Sequence, residues 1–321
     1  MSDDEPGRRG ADTIRTVRPE SDGTAGPGGP PPIAGRTTEG VVGVVGCGQM
    51  GAGIAEVIAR AGQDVVVVES NAVAASAGRA RLERSLARAS ARGLVSDATS
   101  VLERITVATD LDALHDKLFV IEAIAEDESA KTELFARLDA SVASRHAILA
   151  SNTSSIPIMK LGVATSRPAR VVGVHFFNPV PVLDLVELVP SLLTDPAVLR
   201  EVRTYVVEVL GKRPIDCRDR AGFVVNALLI PYLLSAIRML ESGFATAEDI
   251  DAGMVAGCAH PQGPLALADL IGLDTVAAVA HSLYEEFKEP SHVVPPLLAR
   301  MVEAGLLGRK SGRGFFHYDR G

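Results

Sequence analysis

Hydrophobic and polar positions sort the chain into two regimes. An apolar run of strand length at residues 41–45 leads into Gly46-Cys47-Gly48-Gln49-Met50-Gly51. Ile54, Ala55, Ile58 and Ala61 follow at the three- and four-residue spacing of one helix face, and a second apolar run at 65–68 ends in Glu69. Short apolar runs bounded by turn residues read as buried strands and 3.6-residue spacing reads as helix, so this stretch is a βαβ unit. The alternation continues with a helix over about 72–92, a strand near 104–107, an apolar strand at 119–123, a helix near 131–142, and strands near Ile148 and Val171. Strands alternating with helices imply a mostly parallel sheet covered on both faces, an α/β fold. From Ala221 onward the strand pattern gives way to helical periodicity punctuated by Gly-Pro and Gly-Leu pairs. The apolar stretch at 221–237 is shorter than a bilayer span and is interrupted by Asn226, Pro231 and Ser235, so it reads as a buried helix and no membrane anchor is expected.

The first residues follow neither pattern. Residues 1–36 hold 7 of the 30 glycines and 6 of the 19 prolines but only 7 hydrophobic side chains, too few to offset the entropy of ordering them. Asp3, Asp4 and Glu5 with no apolar segment do not suit a secretory or mitochondrial leader, so residues 1–38 read as a disordered tail. The domain reading is then a tail at 1–38, a cofactor domain at 39–217 and a smaller all-α domain at 218–321.

Composition narrows the functional classes. The formal net charge is −8, and the tail's five basic and six acidic side chains nearly cancel, so the acidity belongs to the folded body. Such a body is poorly suited to grasping a nucleic acid backbone, and any polyanionic ligand must be met locally. Cys47, Cys217 and Cys258 lie far apart without CxxC spacing, which argues against a disulfide framework or a zinc site and fits a cytoplasmic protein. No metal site is expected.

The glycine segment carries specific chemistry. Gly46 permits the tight turn after the first strand, Gly48 lets backbone approach a pyrophosphate, and Gly51 lets helix pack on strand. Gln49 and Met50 lie at the helix N-terminus, where unpaired N–H groups favour an anion. The strand before, the helix after and an acidic residue 23 positions beyond Gly46 agree on a Rossmann-type dinucleotide site. Glu69 can accept hydrogen bonds from a ribose 2′-hydroxyl and would repel a 2′-phosphate, so NAD is favoured over NADP.

Two later segments sit where sheet strands end. They are Ser151-Asn152-Thr153-Ser154-Ser155, and His175-Phe176-Phe177-Asn178-Pro179-Val180-Pro181 followed by Leu185-Val186-Glu187-Leu188. Together with Gly222-Phe223-Val224-Val225-Asn226, His260-Pro261-Gln262-Gly263-Pro264, Leu273-Asp274-Thr275 and the run from Gly308 to Phe316, the chain from residue 40 to its end resembles the L-3-hydroxyacyl-CoA dehydrogenase family. The resemblance implies an NAD-dependent oxidation of (S)-3-hydroxyacyl-CoA, with a short-chain substrate such as 3-hydroxybutyryl-CoA, and a homodimer built through the helical domain. By position, it makes His175 the base that takes the hydroxyl proton, which a neutral imidazole can do near pH 7. Glu187 becomes its carboxylate partner, Ser154 the donor to the reacting oxygen, and Asn226 the amide that helps hold His175 and the substrate carbonyl. The resemblance also places Glu126 and Lys131 on the ribose and nicotinamide side of NAD. Ser85 and Arg92 fall at coenzyme A contacts on a helix that also carries Arg81, Arg84 and Arg88.

The chain departs from the family pattern at Ala221, where proline is usual, at Ala227 and Asp184, where basic residues are usual, and at Glu69, where aspartate is more usual. Loss of positive charge near the second domain leaves open a carrier-protein thioester in place of free acyl-CoA. A non-catalytic NAD-binding protein on the same fold is the alternative from a different class.

Overall fold

The computed structural model describes residues 42–318, and the expected tail lies outside the described residues. Eight strands form one sheet in the spatial order β3-β2-β1-β4-β5-β6-β7-β8. Six of them, β1 (Val42–Val45), β2 (Val65–Val68), β3 (Ile105–Ala108), β4 (Phe119–Glu122), β5 (Ile148–Ser151) and β6 (Val171–Phe176), pair in parallel. β7 (Leu185–Pro190) turns back antiparallel to β6 and pairs in parallel with β8 (Arg213–Asp216). The crossovers carry α1 (Gln49–Arg60), α2 (Ala72–Ala91), α3 (Ala98–Glu103), α4 (Glu128–Ser141), α5 (Ile158–Val163) and α6 (Pro196–Thr204).

Both faces of the sheet are covered, and alternate residues of a strand go to opposite sides. In β4, Phe119 and Ile121 pack with Ile54, Ile58 and Val202 on one face, whereas Val120 joins Leu134, Phe135 and Leu138 on the other. Helix α4 starts at Glu128, earlier than its apolar pattern suggests, because the Asp127 carboxylate accepts from the Ala130 N–H at 2.8 Å and caps it there. Parallel order places the carboxyl ends of β1, β4, β5 and β6 along one edge, where ligands of such sheets bind.

The remaining helices, α7 (Val225–Glu241), α8 (Ala247–Cys258), α9 (Pro264–Ile271), α10 (Leu273–Phe287) and α11 (Pro296–Glu303), share a second core that includes Leu233, Ile237, Leu265, Val276, Ala280 and Leu283. The apolar stretch beginning at Ala221 turns helical only at Val225, because Gly222 (φ 74°) and Phe223 (φ 48°) first swing the chain through left-handed conformations. Buried carboxylates knit this unit. Asp251 accepts from Leu265 and Ala266 N–H at the start of α9, and Asp269 from Phe315 and Phe316 N–H near the chain end. A Cβ at Gly263 would stand 2.1 Å from Asp251 Cγ and one at Gly314 1.9 Å from Asp269 Oδ1, so two of the sequence motifs serve packing at their glycines. Among the described residues no single helix is long and apolar enough to cross a membrane.

Candidate active site

The glycine loop lies where β1 hands over to α1. Gly46 has φ 94° and an added Cβ would stand 2.7 Å from the Ala123 carbonyl, while at Gly51 it would lie 1.9 Å from the Gly46 carbonyl, so both positions admit only glycine. Nothing lies within 4 Å of a Cβ built on Gly48, which leaves backbone open to the cleft. No side chain caps the N-terminus of α1. A cleft of about 580 Å³ opens beside this loop, lined by Gly46, Gly48, Glu69, Ala123 and Ala125. Glu69 Oε1 accepts from the Cys47 N–H at 2.6 Å and Oε2 from the Ser70 N–H at 3.0 Å, so the carboxylate braces the loop and keeps further lone pairs. On the other side, Arg81 of α2 donates to the Cys47 carbonyl. A left-handed glycine, bare backbone and an acceptor at the end of β2 fit the pyrophosphate and diol of a dinucleotide. Gln49 is exposed, its amide donating to Asn178 Oδ1 at 3.1 Å, and Met50 packs partly against the core.

His175 and Glu187 face each other across the antiparallel β6–β7 pair, where the register matches them directly. His175 Nδ1 and Glu187 Oε2 are 2.7 Å apart, and Glu187 Oε1 accepts from Val224 N–H at 3.0 Å and Val225 N–H at 2.9 Å. Burial alone would raise the Glu187 carboxyl, but the His175 bond and the two backbone donors outweigh it and hold the group below the usual carboxylate range. An ionised Glu187 fixes the proton on Nδ1 and leaves the lone pair on Nε2, to which no described residue hydrogen-bonds. Phe177 and Phe223 flank the imidazole with ring centroids at 4.6 and 5.6 Å. The left-handed Gly222–Phe223 turn aims the two backbone donors at Glu187, and Asn226 follows directly in the first turn of α7.

The 151–155 loop closes the third side. Asn152 Oδ1 accepts from Phe176 N–H at 2.8 Å and ties the loop to the strand that bears His175. Glu126 Oε1 gathers Thr153 Oγ1 at 2.6 Å, Ser154 N–H at 2.8 Å and, more loosely, Ser154 Oγ at 3.2 Å. Burial would raise Glu126, but adjacent Lys131 and the Thr153 and Ser154 donors hold it low. Lys131 is 1 % exposed, its ammonium 2.8 Å from Glu122 Oε1 and 3.0 Å from Glu126 Oε2. It therefore meets the cleft through Glu126, and not with its own charge.

The structure brings together His175, Glu187, Ser154, Glu126 and the glycine loop at one sheet edge. Ser85 is half-buried on α2, and Arg92 lies exposed at its C-terminal cap. Sequence reasoning passed over Asn152, Glu122 and the backbone donors of Val224 and Val225. Glu122 had a signal, a carboxylate inside the apolar run FVIEA. Two departures from the family pattern acquire contacts. Ala221, unlike a proline, has an N–H and gives it to Glu286 Oε2 at 2.7 Å. Close to Asp184, the Lys212 ammonium is bonded to the Val180 and Leu183 carbonyls.

A dinucleotide-type cleft and a histidine–carboxylate pair at one sheet edge, followed by a helical unit, define a nicotinamide-dependent dehydrogenase. The chain belongs to the 3-hydroxyacyl-CoA dehydrogenase family. Residues 41–220 match the family's NAD binding domain and residues 222–318 its C-terminal domain. It is 58% identical over 279 residues to the 3-hydroxybutyryl-CoA dehydrogenase of Mycobacterium tuberculosis, covering 86% of this chain and 98% of that one. The crystal structure of M. tuberculosis FadB2 superposes with a TM-score of 0.86 at 58% identity, over 87% of this chain and 99% of the other. The structure of (S)-3-hydroxybutyryl-CoA dehydrogenase PaaH1 from Ralstonia eutropha gives 0.81 at 44% identity, with the same coverage.

Proposed function

We propose that the chain interconverts (S)-3-hydroxyacyl-CoA and 3-oxoacyl-CoA with NAD, with 3-hydroxybutyryl-CoA as its short-chain substrate. The single observation that carries the reading is the 2.7 Å His175–Glu187 contact at the edge that also holds the glycine loop. Bound NAD supplies the acceptor for the hydride that leaves C3. His175 Nε2 takes the hydroxyl proton, and Glu187, already ionised, stabilises the imidazolium so formed. Ser154 donates to the reacting oxygen, a task its loose 3.2 Å bond to Glu126 leaves it free to take up. Asn226 holds the substrate carbonyl region beside the imidazole. In the reverse direction protonated His175 returns the proton to the developing alkoxide.

Glu126 is assigned to the nicotinamide ribose with Lys131 behind it, and Ser85 and Arg92 to coenzyme A. The names of the most similar relatives favour coenzyme A over a carrier protein as the thioester group. The domains run 39–217 and 218–321. The enzyme works in the cytoplasm, where the exposed thiol of Cys258 stays reduced, and it assembles as a homodimer through apolar side chains that the helical unit leaves exposed, Leu228 and Phe244 among them. The test compares NADH oxidation with acetoacetyl-CoA and acetoacetyl-pantetheine. A much higher specificity constant for the CoA ester supports the proposal, and equal constants refute a dedicated coenzyme A pocket.

A further inference from the structure

The polar groups beneath the 151–155 loop form a closed ring in which Ser154, Glu126 and Lys131 have roles in the proposed function but Glu122 and Ser151 have none. Glu122 ends β4 with no exposed surface, and its register partner across the parallel β4–β5 pair is Ser151. Glu122 Oε2 accepts from Ser151 Oγ at 2.6 Å, and that oxygen in turn accepts from the Thr153 N–H at 3.2 Å. Glu122 Oε1 accepts from the Ile124 N–H at 2.7 Å and lies 2.8 Å from Lys131 Nζ. Lys131 passes the contact to Glu126 Oε2 at 3.0 Å, and Glu126 Oε1 closes the circuit on Thr153, Ser154 and Ser155.

Two carboxylates and one ammonium, two of the three groups nearly solvent-free, are a costly way to build a strand end. Buried ion pairs contribute little net stability compared with apolar packing of the same volume, so the arrangement is better explained by the geometry it imposes. That geometry has one outlet, because both arms of the ring end on the backbone and hydroxyls of residues 151–155.

We infer that Glu122 is a positioning residue for Ser154, acting through Ser151 on one arm and through Lys131 and Glu126 on the other. This rests on the catalytic assignment of Ser154 above. Glu122 touches neither substrate nor cofactor; it holds the loop at the height from which the Ser154 hydroxyl reaches the reacting oxygen. A carboxylate is required because the residue must accept on both oxygens at once. In Glu122→Gln the amide oxygen can keep Ile124 and Lys131, but the NH₂ group then faces Ser151 Oγ, whose proton loses its acceptor and must turn away, shifting the hydroxyl on which the Thr153 N–H rests.

The test is steady-state kinetics of Glu122→Gln, Ser154→Ala and the double variant, with NADH affinity from fluorescence titration and Tm from calorimetry. Glu122→Gln is expected to lower kcat about tenfold or more, an ångström-scale misplacement of a reacting group being enough for that, while KM and the NADH Kd stay within about twofold. Because Glu122 acts through Ser154, the double variant is expected to be no slower than Ser154→Ala alone. If Glu122→Gln folds poorly, Ser151→Ala cuts the first arm, leaves the Glu122–Lys131 pair in place and carries the same test, with Tm near wild type and kcat low. A wild-type kcat in either variant overturns the inference, and so do losses that multiply in the double variant with Ser154→Ala. Full activity in Ser154→Ala alone overturns the catalytic assignment itself, a result distinct from the other two.

Discussion

Replacing Glu187 by glutamine isolates what its charge does. The side chain has no exposed surface and is bonded to His175 Nδ1, to the Val224 and Val225 N–H groups and to the Cys217 thiol. Glutamine has the same shape. Its carbonyl can keep both backbone donors, which sit on a single oxygen in the native protein, so its NH₂ must face His175. Nδ1 then has to accept instead of donate, the ring proton moves to Nε2, and the nitrogen that should take the substrate proton no longer has a lone pair. Two losses combine: the general-base contribution, about 10²–10⁴, and the charge-assisted bond to the imidazolium, about 1.5–3 kcal/mol. Because they overlap, the expected fall in kcat is about 10²- to 10³-fold, or about 3–4 kcal/mol in the barrier. The weakly donating Cys217 thiol is the one buried side chain whose acceptor is altered, so stability at neutral pH changes by no more than about 1–2 kcal/mol. The assay is the initial rate of NADH oxidation with acetoacetyl-CoA, alongside thermal unfolding. A kcat within threefold of wild type, with the fold intact, would refute the assigned role of the pair.

Gly48→Ala is expected to leave Tm unchanged or slightly raised, since φ is −63° and nothing stands near the new Cβ, yet to weaken NADH binding about tenfold by fluorescence titration. Unchanged affinity would place the cofactor elsewhere. Gly46→Ala, forced to φ 94° against the Ala123 carbonyl, is expected to lower Tm as well as binding, and an unaltered Tm would contradict that turn. Glu126 and Glu187 have carboxyls held below their ordinary value of 4.5, so the stability they contribute is complete above that pH and lost as pH falls through the lower folded-state values. Glu187→Gln should therefore flatten part of the acid limb in a chemical-denaturation series, and an identical limb would contradict its ionisation. Arg92→Ala should raise KM for acetoacetyl-CoA several-fold and leave acetoacetyl-pantetheine unaffected, whereas equal effects on both would remove it from the coenzyme A site.

What could be read from the sequence follows how local each cause is. The βαβ unit was legible because every requirement of the glycine loop lies within about thirty residues of chain, and Val65–Val68 has the bounds its apolar run suggested. The reversal of β7 was not, since nothing in Leu185–Pro190 encodes direction, and direction is what sets His175 against Glu187. Residue chemistry alone drew attention to the segments that carry His175 and Glu187; the family resemblance gave the two residues their roles and paired them. The ring around Lys131 escaped because its members come from β4, α4 and the loop after β5, and a Glu/Lys pair ahead of a helix reads in sequence as a solvated cap. Only the fold reveals that Lys131 is enclosed. Likewise the donors to Glu187 are backbone groups of Val224 and Val225, whose side chains say nothing about the role. Their direction depends on the left-handed φ at Phe223, a residue type that does not advertise it.

One sheet edge is proposed to hold both an NAD site and a proton-transfer pair for a 3-hydroxyacyl thioester. The most direct test is to incubate the purified full chain with NADH and a panel of 3-oxoacyl-CoA substrates from acetoacetyl-CoA upward, following cofactor loss and the configuration of the product. One NADH is expected to be oxidised per (S)-3-hydroxyacyl-CoA formed, fastest with acetoacetyl-CoA, and His175→Gln is expected to lose about a hundredfold or more in kcat with NADH affinity unchanged. Binding of NADH without turnover of any 3-oxoacyl thioester would contradict the proposal.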